Sequence, residues 1–235
     1  MYKRDLQHPA YLQVLRRLIA ARPTARLVAT GSANVSEGQA FEQAAPDAIE
    51  AALEAGAVPC EPIDDLPRRW TEGPCFNASS VAVQRELLVS MQPCFVVGES
   101  HGEDLDLWFR VAEQTELAFC PWPLIGRLVD PSGLSSQAAA REEPPFAARM
   151  EARVHDGRCP ERLRASSLRY VTLYRIFLAR TAVVCGRRGL GLALLWRARR
   201  AVFSPRWLLT LVLAALPRPL AHRIHRWRVD GKVLA

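Results

Sequence analysis

Glu103, Asp104 and Asp106 stand close together in the run Gly102-Glu103-Asp104-Leu105-Asp106-Leu107-Trp108-Phe109-Arg110. A carboxylate within hydrogen-bond reach of a hydroxyl takes its proton as the oxygen attacks, so such a cluster is a candidate general base. Leu105, Trp108, Phe109 and Ala112 follow the i, i+3, i+4, i+7 spacing of one helical face. Gly102 precedes the acids, and acids suit the positive end of a helix. The spacing predicts a helix seated by Trp108 and Phe109, with Glu103 and Asp104 at its exposed tip. A plain helix with an acidic first turn has the same local pattern, and both readings stay open on these residues alone.

Such a helix needs a scaffold, and the flanking sequence supplies alternating elements. Pro9 to Ala21 reads as a helix with Leu12, Leu15 and Ile19 on one face. Ala25 to Thr30 reads as a short strand closed by Gly31, and residues 32–44 as a loop. Asp47 to Ala55 reads as a helix closed by Gly56. Pro59, Pro62, Pro67 and Pro74 mark residues 57–75 as an irregular excursion. Phe76-Asn77-Ala78-Ser79-Ser80-Val81-Ala82-Val83-Gln84-Arg85-Glu86-Leu87 reads as a strand running into a helix. Leu117 to Arg127 reads as a strand interrupted by prolines, followed by Ser132-Gly133-Leu134-Ser135. Strands alternating with helices predict an α/β layer.

The ordered trio of strand–helix, acidic helix and closing strand resembles the C-terminal half of a glycosyltransferase family 2 catalytic domain, of GT-A fold. The likeness runs over about residues 8–136. It implies a partial GT-A-like mixed sheet with flanking helices over residues 1–136. It also implies transfer of a sugar from a nucleotide sugar to a glycan or lipid-linked acceptor. On this resemblance Asp104 is the catalytic base, and Glu103, Asp106, Trp108 and Arg127 are supporting residues on the acceptor side. Intact members hold Mg²⁺ or Mn²⁺ on an Asp-x-Asp motif, where oxygen ligands suit a hard cation. Here Tyr2 and Arg4 stand where those aspartates would be, Asp5 takes the trailing acid position, and Asp130 lies near the place of a family histidine. The expectation is therefore a chain lacking the nucleotide-binding half, inactive alone and with no metal of its own, whose donor half a partner chain or an upstream frame would supply.

Charge divides the chain. Residues 164–235 carry fourteen arginines and Lys232 against one acid, Asp230, hence +14, which leaves −7 elsewhere within the net +7. Residues 137–163, with Pro144, Pro145, Gly157 and Pro160, read as a linker. Beyond it, Leu168–Cys185, Leu190–Phe203 and Trp207–Leu216 are apolar stretches bounded by Arg, Gly and Pro. The longest uncharged run of this C-terminal region, Trp207–Pro217, would span about 16 Å as a helix, against a bilayer core of ~30 Å. Residues 164–235 are thus expected to be basic amphipathic helices lying on an anionic membrane surface, with Trp196, Trp207 and Trp227 at the interface. A helical subdomain with solvated arginines is the plainer alternative. Nucleic acid fits poorly, because so much Leu and Val would be idle on a phosphate backbone. His222 and His225 read as surface residues amid positive charge.

Cys60, Cys75, Cys94, Cys120, Cys159 and Cys185 show no CxxC or zinc spacing and read as free thiols of a reducing compartment. Residues 1–11 are polar and do not read as a signal sequence. The expected location is cytoplasmic, peripheral at the inner membrane face. A non-catalytic membrane-surface module that complements a partner chain is the alternative function.

Overall fold

The computed structural model describes residues 5–35, 46–128, 142–217, 219–221 and 223–224. In chain order the elements are β1 (Leu6–Gln7), α1 (Tyr11–Ala21), β2 (Leu27–Val35), α2 (Pro46–Glu54), β3 (Glu61–Ile63), α3 (Leu66–Trp70), β4 (Val81–Val83) and α4 (Arg85–Ser90). Then come α5 (Glu103–Ala112), β5 (Leu117–Leu128), α6 (Pro145–His155), α7 (Glu161–Val184), α8 (Arg188–Arg197), a 3₁₀ turn (Arg199–Ala201) and α9 (Pro205–Ala215).

The protein is mixed α/β, with a curled mixed sheet and flanking helices. β5 is its hub. β2 runs parallel to β5 along one edge; along the other, β3 pairs antiparallel with its start and β1 with its end. β4 completes the sheet, antiparallel to β2. Successive strand residues point to opposite faces, and the core divides accordingly. Leu27, Ala29, Leu117 and Phe119 face a core filled by α3, α5, α6 and the first half of α7. Val28, Ala118 and Cys120 face α1 and α2.

The parallel β2–β5 pair carries an irregularity where prolines interrupt β5. Thr30 lies opposite Cys120, but Gly31 lies opposite Pro123 and Ser32 opposite Ile125. Proline cannot donate to a ladder, so the register slips there. Gly31 makes the close approach possible, since a Cβ on it would lie 2.6 Å from the Pro121 carbonyl oxygen. The strand therefore passes through Gly31 to Val35 instead of closing at it.

Other expectations are corrected. The buried face of α1 is Tyr11, Val14, Leu15 and Leu18; Leu12 and Ile19 are exposed. Residues 57–75 hold β3 and α3, the latter capped by the Asp65 carboxylate, which accepts the Arg68 N–H at 2.9 Å. Of the expected linker, residues 145–155 form α6, whose Phe146, Ala147 and Met150 are buried in the main core. Pro145 opens that helix, where a missing N–H costs nothing.

α7 joins the two parts of the molecule. Tyr170 and Val171 belong to the main core, while Ile176, Leu178 and Ala179 pack with Leu194, Leu195 and Ala198 of the C-terminal helices. Residue 164 is thus no structural boundary. Arg175 of α7 is buried between Glu143 and Glu151, so it is paired and not solvated. No helix among the described residues is long and apolar enough to cross a membrane.

Candidate functional site

The acidic helix forms where the spacing puts it, and its start is built by packing. Gly102 adopts φ 78°, and a Cβ there would lie 2.7 Å from Phe146 Cδ1. A side chain is excluded both by the left-handed backbone and by the aromatic ring behind it. Trp108 and Phe109 seat the helix as expected. Trp108 meets Phe76 edge-on at 6.2 Å, and Phe109 meets Trp70 at 5.3 Å and Tyr170 at 4.7 Å.

The three acids have different fates. Asp106 is buried inside the protein and surrounded by arginines: Arg153 Nη1 at 3.0 Å, Arg110 Nε at 3.1 Å and Arg149 Nε at 3.4 Å. A carboxylate so occupied is a structural counter-ion. Its arginines are shared with other acids, Arg149 with Glu99 and Arg153 with Glu113. Burial raises the Glu113 carboxyl above the ordinary carboxylate range, against the pull of Arg153.

Glu103 and Asp104 are half-buried instead of standing at an exposed tip. Neither forms an ion pair among the described residues. Asp104 Oδ1 accepts the Leu105 N–H at 2.8 Å. Across from it, Tyr170 and Tyr174 of α7 feel the carboxylate. Burial first, and the negative charge of Asp104 in addition, push both phenols well above their usual range. Both therefore remain protonated donors at any working pH. The Asp104 carboxylate is partly accessible and has no cation paired to it among the described residues, which leaves it open to an incoming hydroxyl.

The other expected residues lie apart. Arg127 is exposed near the end of β5 and donates through Nε to Asn34 Oδ1 at 3.1 Å, across the β2–β5 pair. Nothing in the described contacts brings it to the acids of α5. Asp5 accepts the Ser79 Oγ hydrogen at 2.6 Å and the Leu128 N–H at 3.3 Å, tying the start of the chain to the loop before β4 and to the end of β5. Each Asp5 oxygen thus accepts a hydrogen bond, and no group of three or more His, Cys, Asp or Glu among the described residues is placed to hold a metal ion. Tyr2, Arg4, Asp130 and Ser132–Ser135 lie outside the described residues, as do His225 and Trp227.

Sequence reasoning missed the arginines of α6 and the tyrosines of α7. Phe146, Met150 and Arg153 recur at i, i+4 and i+7, which was the available signal that Arg153 shares the buried face of α6. Beside them lies a cavity of about 250 Å³ lined by Pro93, Val96, Asp106, Arg110, Arg149 and Arg158. Its arginines already have acid partners: Arg110 and Arg149 lean on Asp106, Arg149 also on Glu99, and Arg158 on Asp156.

No family model, no curated protein and no solved structure matches this chain.

Proposed function

We propose that this chain forms the acceptor side of an inverting glycosyltransferase of the family 2 type, with Asp104 as the general base. The observation that carries the reading is the contrast within one helical turn: Asp106 is consumed by arginines, while Asp104 keeps a half-buried carboxylate with no ion pair among the described residues, on an anchored helix. In the reaction the Asp104 carboxylate takes the proton of an acceptor hydroxyl. The hydroxyl oxygen forms a bond to the anomeric carbon, and the nucleoside diphosphate departs with the electron pair of the broken bond. Glu103 sits beside the base on the same turn. Trp108 holds the helix in place. The nucleotide sugar, with any Mg²⁺ or Mn²⁺ on its diphosphate, is assigned to a donor half in a partner chain or in flanking sequence, as the resemblance implies.

Amide NMR of the chain, titrated with simple saccharides as acceptor mimics, tests the reading. Shift changes should centre on Gly102 to Leu105 and on Tyr174. Changes confined to other surfaces, or none at saturating sugar, would reject an acceptor site at the start of α5.

A further inference from the structure

The C-terminal helices turn apolar side chains outward as well as inward. On α8 and the turn after it, Leu192, Trp196 and Phe203 are exposed, Trp196 by 70% and Phe203 by 89%. Leu192 and Trp196 stand at i and i+4 on one face of α8, and Phe203 follows in the turn after the 3₁₀ segment. On α9, Leu208, Leu211 and Val212 are exposed at i, i+3 and i+4, while Thr210, Leu213 and Ala214 face inward. The two helices are packed on each other, Trp207 Nε1 donating to the Leu195 carbonyl at 3.0 Å. Isolated exposed apolar residues are ordinary; two outward stripes on adjoining helices are not.

The charge around these stripes is of one sign. From Arg164 to Ile224 the sequence holds no acid. Arg188, Arg199, Arg200 and Arg206 are exposed. The Arg199 guanidinium lies 5.3 Å over the Trp196 ring, an arrangement that lets a cation accompany an indole out of bulk water. Glu143 pairs with Arg197 of α8 and with Arg175, and Glu151 also pairs with Arg175.

We infer that α8, the turn after it and α9 form a docking face for an anionic lipid bilayer. Trp196, Phe203, Leu208 and Leu211 would enter the headgroup boundary, and Arg199, Arg200 and Arg206 would meet lipid phosphates. The charge complementarity selects this occupant: apolar side chains need a dry phase, and Arg199, Arg200 and Arg206, with no acid paired to them among the described residues, need a negative one. A second copy of the chain would set these arginines against themselves. Docking here is independent of sugar transfer at α5.

The experiment is co-sedimentation of the full chain with vesicles of phosphatidylcholine alone or mixed with phosphatidylglycerol, at ~0.15 M salt and above. Binding should require the anionic lipid and weaken as salt rises. The double variant Arg199→Glu/Arg200→Glu should lose affinity by roughly tenfold or more, since each cation near the surface contributes on that scale. The double variant Phe203→Ser/Leu211→Ser should lose a comparable amount while keeping the native circular dichroism, because both side chains are exposed. Equal binding to the two lipid compositions, or no binding, would overturn the inference. So would insensitivity to the apolar variant, which would point to a soluble polyanion such as RNA. A dimer in sedimentation velocity without lipid that the apolar variant abolishes would assign the face to a second copy instead.

Discussion

Asp106 Oδ1 accepts a hydrogen bond from Arg153 Nη1 at 3.0 Å inside the protein, joining α5 to α6 across 47 residues of chain. Both side chains are nearly sealed from solvent, at 5% and 9% exposure. The pair fixes the helix that bears the candidate base to the helix behind it.

Removing the acid should therefore be costly. Asp106→Ala leaves Arg153 buried beside an empty place and deprives Arg110 and Arg149 of a counter-ion. Breaking a buried pair costs on the order of 3–5 kcal/mol. Urea denaturation should show it as a lower midpoint. The exposed pair Arg158–Asp156, 2.7 Å apart, is the control; Asp156→Ala should change stability by about 0–1 kcal/mol.

Asp104 and Trp108 should separate function from stability. With a nucleotide-binding half supplied in trans, Asp104→Asn should lower turnover by ~10²–10⁴-fold. Its melting temperature should barely move, because an acid in a first helical turn contributes only about 0.3–1 kcal/mol. Trp108→Ala should instead destabilise the chain by roughly 3–5 kcal/mol. Near-normal turnover of Asp104→Asn would shift the base to Glu103; Asp106 is already committed to its arginines.

Gly102→Ala should disturb the start of α5 twice over. The left-handed φ of 78° disfavours any Cβ, and the one added would meet Phe146. Gly56→Ala has a similar backbone at φ 66° with open space around it. The first variant should lose more stability than the second in the same denaturation assay, and equal losses would mean that the Phe146 contact yields freely.

Alkaline pH should weaken the fold through Cys120. Burial raises its thiol in the folded protein to about 11, from an ordinary value of 9.0. The folded state then holds a proton that the unfolded state has released. Stability from this group is full below pH 9.0 and is lost as pH climbs through about 11. Tyr170 and Tyr174, also raised by burial, act in the same direction at still higher pH. The urea midpoint of Cys120→Ala, followed over this range, should fall less steeply than that of the parent chain.

Local patterns carried the sequence reading where one element decides its own form. The i, i+3, i+4, i+7 series of α5, the Gly56 stop after α2, the strand–helix at Val81–Ser90 and the long strand through Leu117 were legible because period and punctuation are properties of short segments. The seating of α5 by Trp108 and Phe109 was legible for the same reason.

What each face meets was settled only in three dimensions. In α1 two apolar stripes compete, and the one carrying Val14 and Leu18 is buried because the sheet covers it. Residues 145–155 look like a linker for their prolines and mixed charges, yet Phe146 and Met150 fill the space behind α5, and Arg149 and Arg153 find acids far back in the chain. Charge alone makes residues 164–235 basic; it does not reveal that Arg175 is buried between Glu143 and Glu151 while Arg199 and Arg200 stay exposed. Among the acids of α5 the sequence determined that three carboxylates share one helical start. Folding decided that Asp106 turns inward to its arginines and Asp104 does not, because a counter-ion is a matter of which helix packs alongside, and that neighbour comes from distant sequence.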